Sequence, residues 1–373
     1  MNQILTGIND FMYTYILLIL LVGAGVFFTV FTKGVQIRLL KDGLKSIMEK
    51  KTGNEGEKSV SSFQALMIST ASRVGTGNIA GIATAIAAGG PGAVFWMWVM
   101  AVIGSASAFI ESTLAQIYKV EENGQFRGGP SYYMEKALKK RWLGILFSIA
   151  LIICFAYGFN GLQSFNMSSA LEYYIPNYSQ THVPMIVGII LAVAFAAVIW
   201  GGAHRIGVIT SFIVPVMAVV YILIGIYTML TNLSSIPHFE NAFSARSFAG
   251  GFAGSAVMIG IKRGLFSNEA GMGSAPNAAA SADVDHPVKQ GLVQVISVFI
   301  DTLLICSTTA IMLLISGVQR ESGVLDGIPF VQEAIRANIG QWGIHFITVS
   351  IFAFAFSSLV GNYYYAESNI LFI

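Results

Sequence analysis

The chain alternates long apolar runs with short polar punctuation, and nowhere shows a sustained period-two alternation. Nine apolar segments can be marked off, at 11–32, 61–90, 91–118, 142–174, 183–201, 207–230, 247–281, 290–316 and 344–370. A helix needs about 20 apolar residues to cross roughly 30 Å of hydrocarbon, whereas a barrel strand alternates over about 10. The pattern predicts membrane-spanning helices, several long enough to tilt or to break. Segment 11–32 lacks a basic stretch and a small-residue cleavage site, so it reads as a retained helix rather than a signal peptide.

Composition agrees. Of 373 residues, 55% are hydrophobic and 11% charged, against about 25% charged in soluble domains. Too little polar surface exists to cover the apolar mass, so the class is an all-α integral membrane protein surrounded by lipid. A net charge of +2 with no basic stripe excludes nucleic acid as a partner. Cys154 and Cys306 sit inside apolar segments without metal or disulfide spacing, as small buried hydrophobes do. The 33–60 loop carries Lys33, Arg38, Lys41, Lys45, Lys50, Lys51 and Lys58, and the 119–141 loop another six basic residues. With Arg205 and Lys289 these make fifteen of the 21 Lys and Arg on one side, against Arg246, Arg320 and Arg336 on the other. Basic loops stay cytoplasmic, which predicts an external N-terminus in a multi-pass cell-membrane protein.

Two segments carry polar interruptions. Segment 61–90 contains Arg73, Gly75, Thr76, Gly77 and Asn78 near its middle, and segment 247–281 contains Gly260, Lys262, Arg263, Gly264, Ser267 and Glu269. Glycine costs a helix about 1 kcal/mol relative to alanine. Backbone groups bared in hydrocarbon cost several kcal/mol each unless something satisfies them. The milder alternative is that these glycines let helices pack closely. From the charge-derived topology the two segments run in opposite directions, with five helices separating their starts. That is the signature of two inverted five-helix repeats, each opening on a discontinuous helix. The first repeat covers 61–230, the second 247–373, and 11–32 stands outside them as a peripheral helix. Completing the second repeat asks for two helices beyond the ninth segment.

Half-helix ends bind charge. A break near 74–77 would aim the amides of Gly75, Thr76, Gly77 and Asn78 at a carboxylate, and turn carbonyls of Thr70, Ala71 and Val74 toward a small cation. A break near 259–261, beside Met258 and Gly260, would offer carbonyls to an ammonium group, with Ser267 as N-cap of the following half. A ligand carrying both poles is an amino acid. Gly, Ala and Ser crowd the surroundings while Phe159, Phe266 and Met258 limit the space, which favours a small side chain. Gln163 is the preferred substrate contact from the fourth segment, near Asn160 and Asn166. Ser357 and Ser358 either join the Thr70–Val74 carbonyls around the cation or bond back to their own helix. Arg73, Lys262 and Arg263 face Glu111, Glu269, Asp301 and Glu367 in number, which predicts mutual neutralisation.

At these residues the sequence resembles the alanine/glycine:cation symporter family. The matching stretches are 71–81 (ASRVGTGNIAG), 89–98 (GGPGAVFWMW), 128–133 (GGPSYY), 262–276 (KRGLFSNEAGMGSAP) and 298–302 (VFIDT). The resemblance implies the leucine-transporter fold and uptake of alanine or glycine with Na+ by alternating access, H+ being the alternative coupling ion. It places Gly75–Asn78 in the unwound part of the first repeat helix, 258–267 in that of the sixth core helix, and Ser357 and Ser358 at the cation site. A passive channel would show a filter sequence. A membrane enzyme would show an HExxH, GxSxG or nucleophile–base motif. The chain has none of these, so no catalytic residue is assigned.

Overall fold

The computed structural model describes residues 7–9, 11–49, 60–122, 124–200, 202–232, 255–318 and 327–373. Lys50, Lys51, Lys58, Arg246, Arg320 and the start of segment 247–281 lie outside the described residues. Helices run Leu18–Phe31 (α1), Val35–Arg38 (α2), Leu40–Ile47 (α3), Ser62–Arg73 (α4), Ala80–Gly89 (α5) and Gly92–Ile117 (α6). There follow Pro130–Lys136 (α7), Arg141–Ser169 (α8), Val183–Ile199 (α9), Gly202–Thr231 (α10), Ser255–Asn268 (α11) and Ala275–Ser281 (α12). The last are Pro287–Ser316 (α13), Gly327–Ile339 (α14) and Gln341–Ile370 (α15). Among the described residues, six helices are long and apolar enough to cross a membrane, including α6, α8, α13 and α15. Their outer faces are apolar as well, with Leu146, Ile149, Ile153, Val216 and Val220 exposed, as lipid contact requires.

Among the described residues, the regular structure is helical apart from one short hairpin and an isolated bridge between Val60 and Ala282. Val120–Glu122 (β1) and Gln125–Arg127 (β2) pair antiparallel, Val120 opposite Arg127, inside the basic stretch read as a loop. The other basic stretch is not a plain loop either. Helix α3 lays Gly43 against Leu292 and Ile296 of α13.

The two interrupted segments form the centre. Helix α4 begins with a reciprocal cap: the Gln64 amide donates to Ser61 Oγ (3.1 Å) and the Ser61 amide to Gln64 Oε1 (2.9 Å), satisfying two donors that a helix start leaves free. It ends where Val74 leaves helical geometry (φ −79°, ψ 81°) and Gly75 becomes extended. A single 3-10 turn, Thr76–Asn78, precedes α5. In the second segment the break falls at 269–274, between α11 and α12, with Glu269, Gly271 and Gly273 at positive φ.

That position corrects the predicted break at 259–261. Met258 and Gly260 lie within continuous helix, and Ser267 sits in its last turn instead of capping a new one. The reason is packing. A Cβ on Gly260 would collide with the Ala93 carbonyl and Trp96 Cβ, and one on Gly264 would press on Met97 and Met100 at 3.2 Å. These glycines bring α11 close to α6, the role small residues play between membrane helices. The glycines that suggested unwinding form a packing seam.

The two broken segments run antiparallel. The Asp283 amide, just past α12, donates to the Val60 carbonyl just before α4 (2.9 Å). At the opposite end, Gly89 of α5 lies against Ala256 and Ile259 of α11. Helix α15 crosses the first break so closely that a Cβ on Gly361 would stand 2.6 Å from the Ser72 nitrogen.

Candidate functional site

The backbone around Gly75 is unwound and buried, and side chains from three other helices meet it. The Thr76 amide and hydroxyl both donate to Gln163 Oε1 of α8, at 3.0 and 2.8 Å. Asn166 Nδ2 donates to Thr76 Oγ1 at 2.7 Å. The Gly75 amide donates to Asn78 Oδ1 at 3.0 Å, folding the turn over itself. A Cβ on Gly75 would stand 2.5 Å from Ser358 Oγ and 2.6 Å from Gln163 Nε2, so glycine alone permits both approaches. Gly75, Thr76, Gly77 and Asn78 thus form an unwound turn whose Gly75 and Thr76 donors meet neutral amide oxygens. Asn166, set aside in favour of Gln163, belongs with it.

Phe159 and Phe266 close one side, their ring centroids 5.1 Å apart, and Phe266 reaches to within 3.3 Å of a Cβ built on Gly77. Ser72, Arg73, Ser267, Glu269 and Asn362 complete the wall of a cavity of about 20 Å³, room for about one water. Holding anything larger requires the walls to move. Met258 and Gly260 take no part in this wall.

Of the five predicted cation ligands, three converge. Ser358 Oγ donates to the Ala71 carbonyl at 3.0 Å and approaches the Val74 carbonyl at 3.4 Å, where α4 ends and carbonyls lose their helical partners. Ser357 does not join them. Its hydroxyl donates back to Phe354 O (2.9 Å) and faces Met217 Sδ. The Thr70 carbonyl keeps its helical bond, accepting from the Val74 amide at 2.8 Å, while Thr70 Oγ1 pairs with Ser297 Oγ of α13 at 3.0 Å. Adjacent residues on a helix point about 100° apart, and in this structure only Ser358 is turned toward the carbonyl pair.

The buried charges are satisfied differently from the prediction. Among the described residues, no ion pair joins Arg73, Lys262 or Arg263 to Glu111, Glu269, Asp301 or Glu367. Arg73 donates to Gln294 Oε1 at 3.2 Å, leaving its Nε and Nη2 unbonded. Glu269 accepts from Ser72 Oγ (3.0 Å) and Ser274 Oγ (2.6 Å). Glu111 of α6 accepts from the Gly271 and Gly273 amides at 3.3 and 3.1 Å, so a carboxylate of the chain itself satisfies the second break. Asp301 of α13, fully buried, accepts from Asn78 Nδ2 at 2.6 Å and Ser267 Oγ at 2.8 Å. It reaches the site although sequence reasoning counted it only as a charge; a lone carboxylate within an apolar span was the available signal.

Long apolar helices around an unwound, polar, glycine-dependent turn define a multi-pass membrane protein. Residues 1–373 match the sodium:alanine symporter family. The chain belongs to that family, whose members are transporters. It is 48% identical to the amino-acid carrier protein AlsT of Bacillus subtilis, over 100% of this chain and 78% of the relative. The same bacterium's probable sodium/glutamine symporter GlnT is 46% identical over 100% of this chain and 78% of its own. The sodium/alanine symporter AgcS of Methanococcus maripaludis is 40% identical over 98% of this chain and 82% of its own.

Proposed function

We propose that the protein is a secondary active transporter that carries a small amino acid, alanine or glycine, together with Na+ by alternating access. One observation carries the reading: the chain at Gly75–Asn78 leaves the α-helix for a single 3-10 turn and presents the Thr76 amide and hydroxyl to a single oxygen acceptor. An amino-acid carboxylate is a stronger acceptor for those donors than the Gln163 amide, because hydrogen bonds to a charge contribute about 1.5–3 kcal/mol against about 1 for neutral pairs. In this reading Gln163 yields its place and turns its amide to the substrate. Phe159 and Phe266 limit the side chain. The Ala71 and Val74 carbonyls with Ser358 Oγ receive Na+, an all-oxygen set suited to a hard cation. Because that site joins α4 to α15, sodium binding favours one facing state over the other, and only such differential affinity transmits its gradient to the substrate.

The architecture proposed with it is a pair of inverted repeats at 61–230 and 247–373 on the leucine-transporter plan, in the cell membrane with the N-terminus outside. The antiparallel course of the two broken segments supports this arrangement. Uptake of labelled alanine, glycine and glutamine by proteoliposomes tests the function. Accumulation of alanine or glycine that requires an inward sodium gradient is the expected result. Preference for glutamine overturns the substrate assignment, and accumulation indifferent to sodium overturns the coupling.

A further inference from the structure

We infer that a side pocket between α1 and α11 binds an anionic phospholipid, its headgroup drawn to Lys262, with Arg263 beside it, and one acyl chain lying against Phe266. The inference rests on the transport reading only for its consequence, not for the site. The sequence sets Lys262 and Arg263 side by side inside an apolar segment. Both are half-buried, and among the described residues no ion pair joins either one to an acid. Lys262 Nζ lies over the Tyr13 ring instead, 5.8 Å from its centroid, at the outer limit of a cation–π contact. Cations within a membrane span are costly to keep and mark places where a ligand or an ion is met.

Lys262 stands at the wall of a cavity of about 50 Å³. Tyr13, Leu17 and Leu21, from the helical run that includes α1, form one side, and Lys262, Leu265 and Phe266 of α11 the other. The last three follow the i, i+3, i+4 spacing of a single helix face, so the amine stands at one end of an apolar strip and the aromatic ring at the other. Tyr13, Leu17 and Phe266 are only partly covered, and Ile16, Ile19 and Leu20 beside them are exposed, which opens the cavity toward lipid. An apolar slot with cations at one end fits an amphiphile, a hydrocarbon tail with an anionic head. It does not fit a small amino acid, because its lining offers no carboxylate or carboxamide to an ammonium group. The depth agrees. Lys262 precedes the break at Glu269 by seven residues, about 10 Å of helix, against a hydrocarbon half-thickness of about 15 Å. A lysine stem spans the remainder and carries its amine to the headgroups.

The consequence follows from a shared wall. Phe266 also lines the cavity at the first break, where it meets Phe159, so one ring lies between the two spaces. The inner cavity has to widen to admit a substrate, and an acyl chain on the far side of Phe266 opposes the retreat of that ring. Lipid bound in the side pocket therefore raises the alanine concentration needed for half-maximal uptake.

The test has two readouts. The purified protein is placed in phosphatidylcholine vesicles containing phosphatidylglycerol with a diazirine on its acyl chain, and the photolabelled peptides are mapped. Label should concentrate on residues 13–21 and 261–266. Removing one basic charge near a headgroup changes lipid affinity about fivefold, so Lys262→Gln should cut that label about fivefold while Lys262→Arg retains it. If the Gln variant does not fold, Leu17→Trp, which fills the cavity and leaves both charges, should exclude the label in its place. Equal labelling by diazirine phosphatidylcholine, or label indifferent to these substitutions, marks ordinary boundary lipid and overturns the proposal. Preferential labelling by a diazirine fatty acid overturns the headgroup assignment. In proteoliposomes, adding phosphatidylglycerol should raise the half-maximal alanine concentration of the parent and leave that of Lys262→Gln unchanged; no shift in the parent overturns the regulatory consequence. Absence of amino-acid uptake under every gradient would sink the transport reading instead, leaving the photolabelling to judge the pocket.

Discussion

At the residue scale, the site depends on one absent side chain and on the choice between two neighbouring hydroxyls. Gly75 is required because Ser358 and Gln163 occupy the volume its Cβ would take. Ser357 and Ser358 are alike in sequence, yet only the second faces the Ala71 and Val74 carbonyls. The two are therefore predicted to respond differently to removal. An oxygen bound to a charge contributes about 1.5–3 kcal/mol, so Ser358→Ala should raise the sodium concentration for half-maximal uptake about ten- to hundredfold. Ser357→Ala removes a bond to its own helix and should shift that value little. Sodium titrations of alanine uptake compare them, and equal shifts would return Ser357 to the cation site. The chemistry of this turn was legible in the sequence, because glycines, Thr76 and Asn78 inside an apolar run have few other uses. Which hydroxyl points inward was not, since direction depends on how α15 is rotated against α4.

At the element scale, both broken segments confirm that backbone at membrane depth does not stay unbonded, but they satisfy it in different ways. The first break uses neutral groups, Gln163 and Asn78, which the proposed substrate carboxylate would outcompete. The second uses the Glu111 carboxylate, held by two amides. That difference marks the second break as structural. Glu111→Ala should orphan two buried donors, each costing about 1–3 kcal/mol, and lower the thermal midpoint in detergent by several degrees. Glu111→Gln keeps an acceptor oxygen and should lose less. Similar melting of both variants and the parent would show that the Gly271 and Gly273 amides find other partners. The existence of a second interruption was readable; its place was shifted by ten residues, because Gly260 and Gly264 carry the same local signal whether they unwind a helix or let it press against α6.

At the scale of the whole molecule, antiparallel broken segments share the centre and the basic stretches gather at one end, where β1, β2 and α3 add structure the hydropathy pattern does not show. The bias of Lys and Arg predicts sidedness. In a cysteine-free background, a cysteine replacing Asn177 should react with a membrane-impermeant maleimide on intact cells, and one replacing Lys136 only after lysis. The reverse pattern would invert the proposed orientation.

The membrane class, most span positions and the polar turn at Gly75–Asn78 followed from the sequence alone, because hydrocarbon penalises polar residues so heavily that each exception carries information. Tertiary structure alone decided where the second segment breaks, which serine meets the carbonyls, and that Asp301 and Glu111 are bonded to uncharged donors instead of to Arg73. Those outcomes rest on distances between helices remote in the chain, and residue spacing within a helix holds no record of what packs across from it.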